Sequence, residues 1–294
     1  MRQIAILSGK GGTGKTSITS AFISLVKDGV FADCDVDASD LFLILTPTIK
    51  EEHLFLGGKT AVIHQENCTG CNQCYEVCNF NAVKIKNKKY SINQYACEGC
   101  NYCVLVCPTK AIELNQNNAG YWYLSDTRFG KMVHAKLFPG EENSGKLVTM
   151  VRHQTRLLAE AGKKDTIIID GPPGIGCPVI STLSGVDDVV VVTEPTQSGL
   201  SDLKRIALTA EHFHIPISVI INKYTLNEDM ANQIEEYCQK KEYTILGRLA
   251  YDKIFTEAMI EKKSVIEMNP KTDISRKIVE MAKKLNLDIK EEYL

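Results

Sequence analysis

The chain has 294 residues, 34 of them basic and 36 acidic, and a net charge of −2, so nothing favours a nucleic-acid partner. No apolar run is long enough to span a bilayer, and the short apolar stretch after Met1 reads as a strand rather than an export signal, so a cytoplasmic protein without stable membrane insertion is expected. In that reducing setting the 11 cysteines point to metal ligation rather than disulfides, and the length accommodates one large domain plus a small one.

In chain order, Ile4–Leu7 is an apolar strand running into Gly9-Lys10-Gly11-Gly12-Thr13-Gly14-Lys15-Thr16-Ser17. Ile18, Ala21, Phe22 and Leu25 then share one face of a predicted helix over Lys15–Lys27. A glycine-rich turn between strand and helix is a phosphate loop. Its backbone amides cradle phosphate oxygens, Lys15 reaches the β- and γ-phosphates, and the Thr16 hydroxyl holds Mg²⁺. ATP, ADP and Mg²⁺ are therefore the expected ligands. Val30–Ala32 is a short buried strand, followed by Asp33, Asp35, Asp37 and Asp40. Phosphoryl transfer to water needs a carboxylate to orient the nucleophile. Asp37 and Asp40 can instead cap the next helix.

Residues 57–118 hold two cysteine runs, Cys68-x2-Cys71-x2-Cys74-x3-Cys78 and Cys97-x2-Cys100-x2-Cys103-x3-Cys107-Pro108. They form a repeat with a period of 29 residues, in which Ala82–Ile85 aligns with Ala111–Leu114. Paired Cys-x2-Cys also serves zinc, but eight thiolates in two four-fold runs suit cubanes better. The spacing resembles that of two-cluster bacterial ferredoxins, although Asn79 stands where the first run would have proline. The resemblance implies two [4Fe–4S] clusters, one on Cys68, Cys71, Cys74 and Cys107, the other on Cys97, Cys100, Cys103 and Cys78.

Alternation in 120–130 and Val133–Leu137 predicts further strands or a hairpin, and Tyr121, Trp122 and Tyr123 are expected to pack in the core or, alternatively, to line an electron path or partner surface. Glu141, Glu142, Asn143 and Ser144 are expected to cap the helix that follows. Strands Thr166–Ile169, Asp188–Val192, Ile217–Ile221 and Tyr243–Leu246 then alternate with helices over 146–162, 199–213, 227–241 and 252–263. That alternation implies a parallel sheet covered on both faces. Ile167-Ile-Ile-Asp170 reads as the strand that brings a second carboxylate to Mg²⁺, with the Gly171–Gly174 turn as a phosphate-sensitive switch. Ile274, Ile278, Met281 and Leu285 share a helix face that packs on the sheet or, alternatively, targets a membrane.

The second lysine of the loop, Lys10, makes residues 1–50 and 145–270 resemble the MinD/Mrp/ParA family of deviant Walker A ATPases. That resemblance implies an α/β fold, a doubly wound and mainly parallel P-loop NTPase sheet, here with an inserted small α+β ferredoxin domain. The expected domains are 1–56 and 119–294 for the ATPase and 57–118 for the insert. It implies that Lys10 crosses to the nucleotide of a facing subunit, in a homodimer or a heterodimer with a paralogous ATPase. Asp33 matches the Mg²⁺-side carboxylate, Asp35 the water-orienting one, and Asn222 the asparagine that meets the adenine edge. A later adenine contact falls near Leu249–Asp252. Cys177, seven residues beyond Asp170, resembles the switch cysteine of nitrogenase iron proteins, but buried packing is the commoner role of such a residue. Cys34 and Cys238 read as structural.

The expected function is an ATP-hydrolysing iron–sulfur protein that couples nucleotide-dependent dimerisation to electron transfer to a partner protein. The alternatives are a scaffold or carrier that delivers an iron–sulfur or other metallocofactor, and a ParA-like positioning ATPase with clusters as structural staples.

Overall fold

The computed structural model describes residues 1–141 and 145–293. The predicted caps Glu142, Asn143 and Ser144 lie outside them. In chain order the elements begin β1 (Arg2–Ser8), α1 (Lys15–Leu25), β2 (Gly29–Asp33), α2 (Leu41–Leu45) and β3 (Thr48–Ile63). The cysteine region holds α3 (Gln73–Glu76), β4 (Val83–Lys86), β5 (Lys89–Ile92) and α4 (Tyr102–Val106). Next come β6 (Ile112–Thr127), β7 (Gly130–Leu137), α5 (Lys146–Gly162), β8 (Thr166–Pro173), α6 (Cys177–Leu183), β9 (Asp188–Thr193) and α7 (Gln197–His212). The chain closes with β10 (Ile217–Asn222), α8 (Glu228–Lys240), β11 (Thr244–Leu249), α9 (Ile254–Ile260), α10 (Val265–Met268) and α11 (Asp273–Lys284).

Nine strands form one sheet in the order β11-β10-β9-β1-β8-β2-β7-β6-β3. The pairs β1/β8, β1/β9, β2/β8, β2/β7, β9/β10 and β10/β11 are parallel, giving the mainly parallel α/β fold expected from the alternating pattern. Parallel strands buried on both faces need continuous apolar runs. Val189–Val192 and Val219–Ile221 meet that need, every one of them fully buried. The phosphate loop leaves the carboxyl end of β1, between β8 and β9, where strand order reverses and open α/β sheets place their ligands.

The chain divides into two compact units. One gathers Met1–His53, Trp122–Lys136 and the chain from Gly145 onward; the other gathers Leu54–Tyr121 and the segment beginning at Leu137. The chain leaves the first unit along β3 and returns along the neighbouring β6. In the second unit Cys74, Val83, Tyr90 and Ile112 form a small core of their own.

Several expectations change. β3 was not anticipated, because its Lys50, Glu51 and Glu52 are exposed and it is held through its backbone beside β6. The predicted 252–263 helix shortens to α9, which ends before Lys262 turns left-handed (φ 55°), and a separate α10 follows it, started by a capping box of Ser264 with Glu267. Gly145 (φ 81°), not a polar side chain, precedes α5, and Asp40 precedes α2 without capping it through its side chain. Trp122 stacks on His53 at 4.1 Å and Tyr123 on His134 at 4.9 Å, both half-buried along β6 rather than in the core. On α11, Ile274, Ile278, Met281 and Ala282 are buried. Among the described residues no helix is long and apolar enough to cross a membrane.

Candidate nucleotide and iron–sulfur sites

Gly12 (φ 79°) and Gly14 (φ 90°) give the phosphate loop its left-handed turns, positions that side chains resist. Gly14 is also closed by packing, since a Cβ there would lie 2.4 Å from Asn222 Nδ2. The loop lines a cleft with Ser8, Lys10, Asp35, Ala38, Asp40, Pro173, Asn222 and Lys223. Tyr251, Phe255, Thr256 and Met259 form another part of its wall.

Behind the loop sits Asp170, fully buried within β8. It accepts hydrogen bonds from Thr16 Oγ1 at 2.8 Å and Thr19 Oγ1 at 2.7 Å, and lies 3.0 Å from Lys15 Nζ. Lys15 is also 3.4 Å from Asp35. Burial works to lower the Lys15 pKa, yet Asp170, Asp35 and Asp33 outweigh it and the pKa rises. Asp33 accepts from Ser39 Oγ at 2.7 Å and from the Asp35 amide at 3.1 Å. Burial, with Asp170 adding repulsion, pushes Asp33 up to about 8. Burial also raises Asp35, against the pull of Lys15.

Three carboxylates around one ammonium leave buried negative charge that a divalent cation would neutralise. In addition, Asp35 Oδ1 and Thr13 Oγ1 are buried without a hydrogen-bond partner. Both observations fit Mg²⁺ and a phosphorylated ligand in this cleft. Thr16 lines the cleft and donates to Asp170 directly behind it.

Lys10 is turned back onto its own chain, ion-paired with Glu194 and 3.4 Å from Ser198 Oγ. Glu194 also faces Lys223 at 3.5 Å, and Lys223 Nζ donates to the Gly12 carbonyl at 2.6 Å. Asn222 lines the cleft, but its amide group already donates to the Thr13 carbonyl at 2.7 Å and its oxygen accepts from the Lys223 amide. Sequence reasoning missed Thr19 and Glu194. Thr19 was legible one helical turn after Lys15. Glu194 was legible as an acidic residue at a parallel strand end in the crevice.

In the second unit, Cys68, Cys71, Cys74 and Cys107 line one hollow, while Cys78, Cys97, Cys100 and Cys103 line another. The fourth cysteine of each run thus stands with the other run's first three. Among the described residues no three His, Cys, Asp or Glu side chains converge as around a single ion. The repeat is visible in the backbone, where left-handed residues recur in pairs at Gly70 and Gly99, Asn72 and Asn101, and Asn81 and Lys110. Cys78 Sγ accepts from the Ala82 amide at 3.3 Å and Cys107 Sγ from the Ala111 amide at 3.2 Å. Slight burial raises these two thiols, but nearby backbone N–H groups outweigh it and both pKa values fall. Cys74 is pushed up to about 11 by burial and by the neighbouring thiols. The donor set and the hollows fit two thiolate-held clusters. Cys177 is exposed at the start of α6, whereas Cys34 and Cys238 are buried, with thiols raised by burial, Cys238 to about 12.

Known proteins share both halves of this arrangement. Residues 61–114 match the family described as a 4Fe-4S dicluster domain, and residues 144–286 the family described as NUBPL iron-transfer P-loop NTPase. An uncharacterised protein of Methanocaldococcus jannaschii is 37% identical over 235 residues, covering 76% of this chain and 79% of its own. The iron-sulfur cluster carrier protein of the same organism is 30% identical over 103 residues, 34% of this chain and 33% of that one. Among solved structures, the septum site-determining protein MinD of Pyrococcus horikoshii, complexed with Mg-ADP, superposes with a TM-score of 0.58 at 17% identity, covering 97% of this chain and 96% of that one.

Proposed function

This chain belongs to the MinD/Mrp/ParA-type P-loop ATPases and carries a 4Fe–4S dicluster domain, and we propose that within that family it is a nucleotide-gated electron carrier. The observation that carries this reading is the four-plus-four division of thiols around two hollows. Four protein ligands per cluster leave no coordination position open for handing the cluster on, which suits a retained redox centre. When bound, such clusters supply one-electron storage.

At the nucleotide, Lys15 and the loop amides would hold the β- and γ-phosphates, and Thr16 would hold Mg²⁺ with Asp170 behind it. Asp35, with one oxygen near Lys15 and the other unpartnered, would orient the attacking water. Lys10 would leave Glu194 to place its charge on the nucleotide of a facing subunit, so ATP binding favours a dimer of this chain or of this chain with a paralogue. Asn222 would position the loop through the Thr13 carbonyl and meet the base with its free N–H. The Gly174 amide, bonded to the Ser8 carbonyl at 2.9 Å, ties the switch after Asp170 to the strand that opens the loop.

A second reading, an iron–sulfur carrier, is favoured by the match of residues 144–286 to an iron-transfer family and by the similarity to a cluster carrier. The test is a redox titration of anaerobic protein followed by electron paramagnetic resonance, with and without a non-hydrolysable ATP analogue. A shifted potential or cluster signal supports gating. Indifference to nucleotide together with cluster transfer to an apo-acceptor supports the carrier.

A further inference from the structure

Lys84, Lys86, Lys88 and Lys89 fall within six consecutive residues of the β4–β5 hairpin, and all are exposed. Among the described residues none of them has an ion-pair partner. Lys86 and Lys89 stand directly opposite each other across the antiparallel pair. Like charges so placed destabilise a hairpin. Lys84 lies on the same face, two residues along β4. The turn that holds them is tight, with Asn87 (φ 51°) and Lys88 (φ 60°) both left-handed as a two-residue hairpin requires.

The opposite face does different work. Val83 and Ile92 line the hollow of Cys78, Cys97, Cys100 and Cys103, and Tyr90 lines the other. A body seated on the lysine face is therefore separated from both cysteine sets by the hairpin alone. Nor is the lysine strip a property of the repeat. One period on, the corresponding residues are Glu113, Asn115, Asn117 and Asn118, and the chain there is β6, built into the large sheet. One half of the repeat carries a free, strongly basic hairpin within a chain of net charge −2.

Exposed apolar groups border the basic strip rather than lie on it: Ile85, paired with Tyr90 on the hairpin's other face, is 43% exposed, and Phe80, at the rim of the second hollow, is 46% exposed. Such side chains gain from a protein surface and nothing from a phosphate backbone. We propose that the lysine face of the β4–β5 hairpin docks an acidic protein, whose carboxylates relieve the Lys86–Lys89 repulsion. This goes beyond the nucleotide-gated reading and holds whether that partner takes an electron or a cluster.

The experiment titrates the full, cluster-loaded protein with an acidic flavodoxin as probe, by calorimetry at low and at physiological ionic strength. It compares the wild type, Lys84→Gln/Lys86→Gln/Lys89→Gln and Lys84→Arg/Lys86→Arg/Lys89→Arg, with cluster absorbance reporting that each variant is folded. Salt-sensitive binding by the wild type and the arginine variant, weakened roughly tenfold in the glutamine variant, is expected. Equal binding by the glutamine variant overturns the inference, as does failure of the wild type to bind flavodoxin at low salt. Tighter binding of duplex DNA or of phosphatidylserine vesicles, lost in the same glutamine variant, assigns the face to another ligand and also overturns it.

Discussion

Asp35 presents one carboxylate oxygen to Lys15 at 3.4 Å and leaves its other oxygen buried without a donor. A buried oxygen without a partner is costly unless a ligand or water completes it. Asp35→Asn keeps the side chain's shape but removes the charge proposed to orient the nucleophile. Hydrolysis should fall by roughly two orders of magnitude while nucleotide affinity changes little. A steady-state ATPase assay beside a fluorescent-nucleotide titration checks this; unchanged turnover would remove Asp35 from the mechanism.

In the proposed dimer, Lys10 would trade its ion pair with Glu194 for a phosphate on the facing subunit. Lys10→Ala should lower hydrolysis by roughly a thousandfold, the scale of a charge supplied in trans, and leave monomer binding intact. Lys15→Ala, by contrast, should lose both. Wild-type turnover by Lys10→Ala would show that its charge acts nowhere in the reaction.

The crossing of the two cysteine runs can be read from iron content. If Cys71 and Cys107 serve one cluster, Cys71→Ser/Cys107→Ser should retain about half the iron. Cys71→Ser/Cys78→Ser should then retain almost none. The reverse pattern would mean that each run holds its own cluster.

His134 is buried on β7, in contact with Ser125 Oγ at 2.9 Å. Burial lowers its pKa from 6.5 to about 4. The unfolded chain therefore binds the proton first, and stability is lost as pH falls through 6.5 toward 4. At pH 5 the loss relative to neutral pH is about 2 kcal/mol. Thermal melts of the wild type and His134→Gln across pH 5 to 7 test it; parallel slopes would assign the acid sensitivity elsewhere.

Most of the arrangement of the two sites was legible because it depends on spacing. Cys68 to Cys107 and Gly9 to Ser17 are local patterns whose geometry follows from their intervals. The alternating strands from Thr166 onward were legible because burial on both faces demands apolar runs. What escaped was held by partners distant in sequence. β3 carries exposed charge and is fixed by its neighbour β6, so no pattern of its own betrays it. Glu194 gains its meaning only when β9 folds beside β1 and brings it to Lys10. The break between α9 and α10 was legible in principle, since Ser264 and Glu267 spell a capping box.

β3 and β6 are neighbours in the sheet, and a Cβ added to Gly57 would lie 2.4 Å from that of Ala119. The points where the cysteine region departs and returns thus face each other across one strand spacing. A turn joining β3 to β6 at this point would close only a short loop, so a chain in which such a turn replaces the cysteine region is expected to keep its nucleotide unit folded.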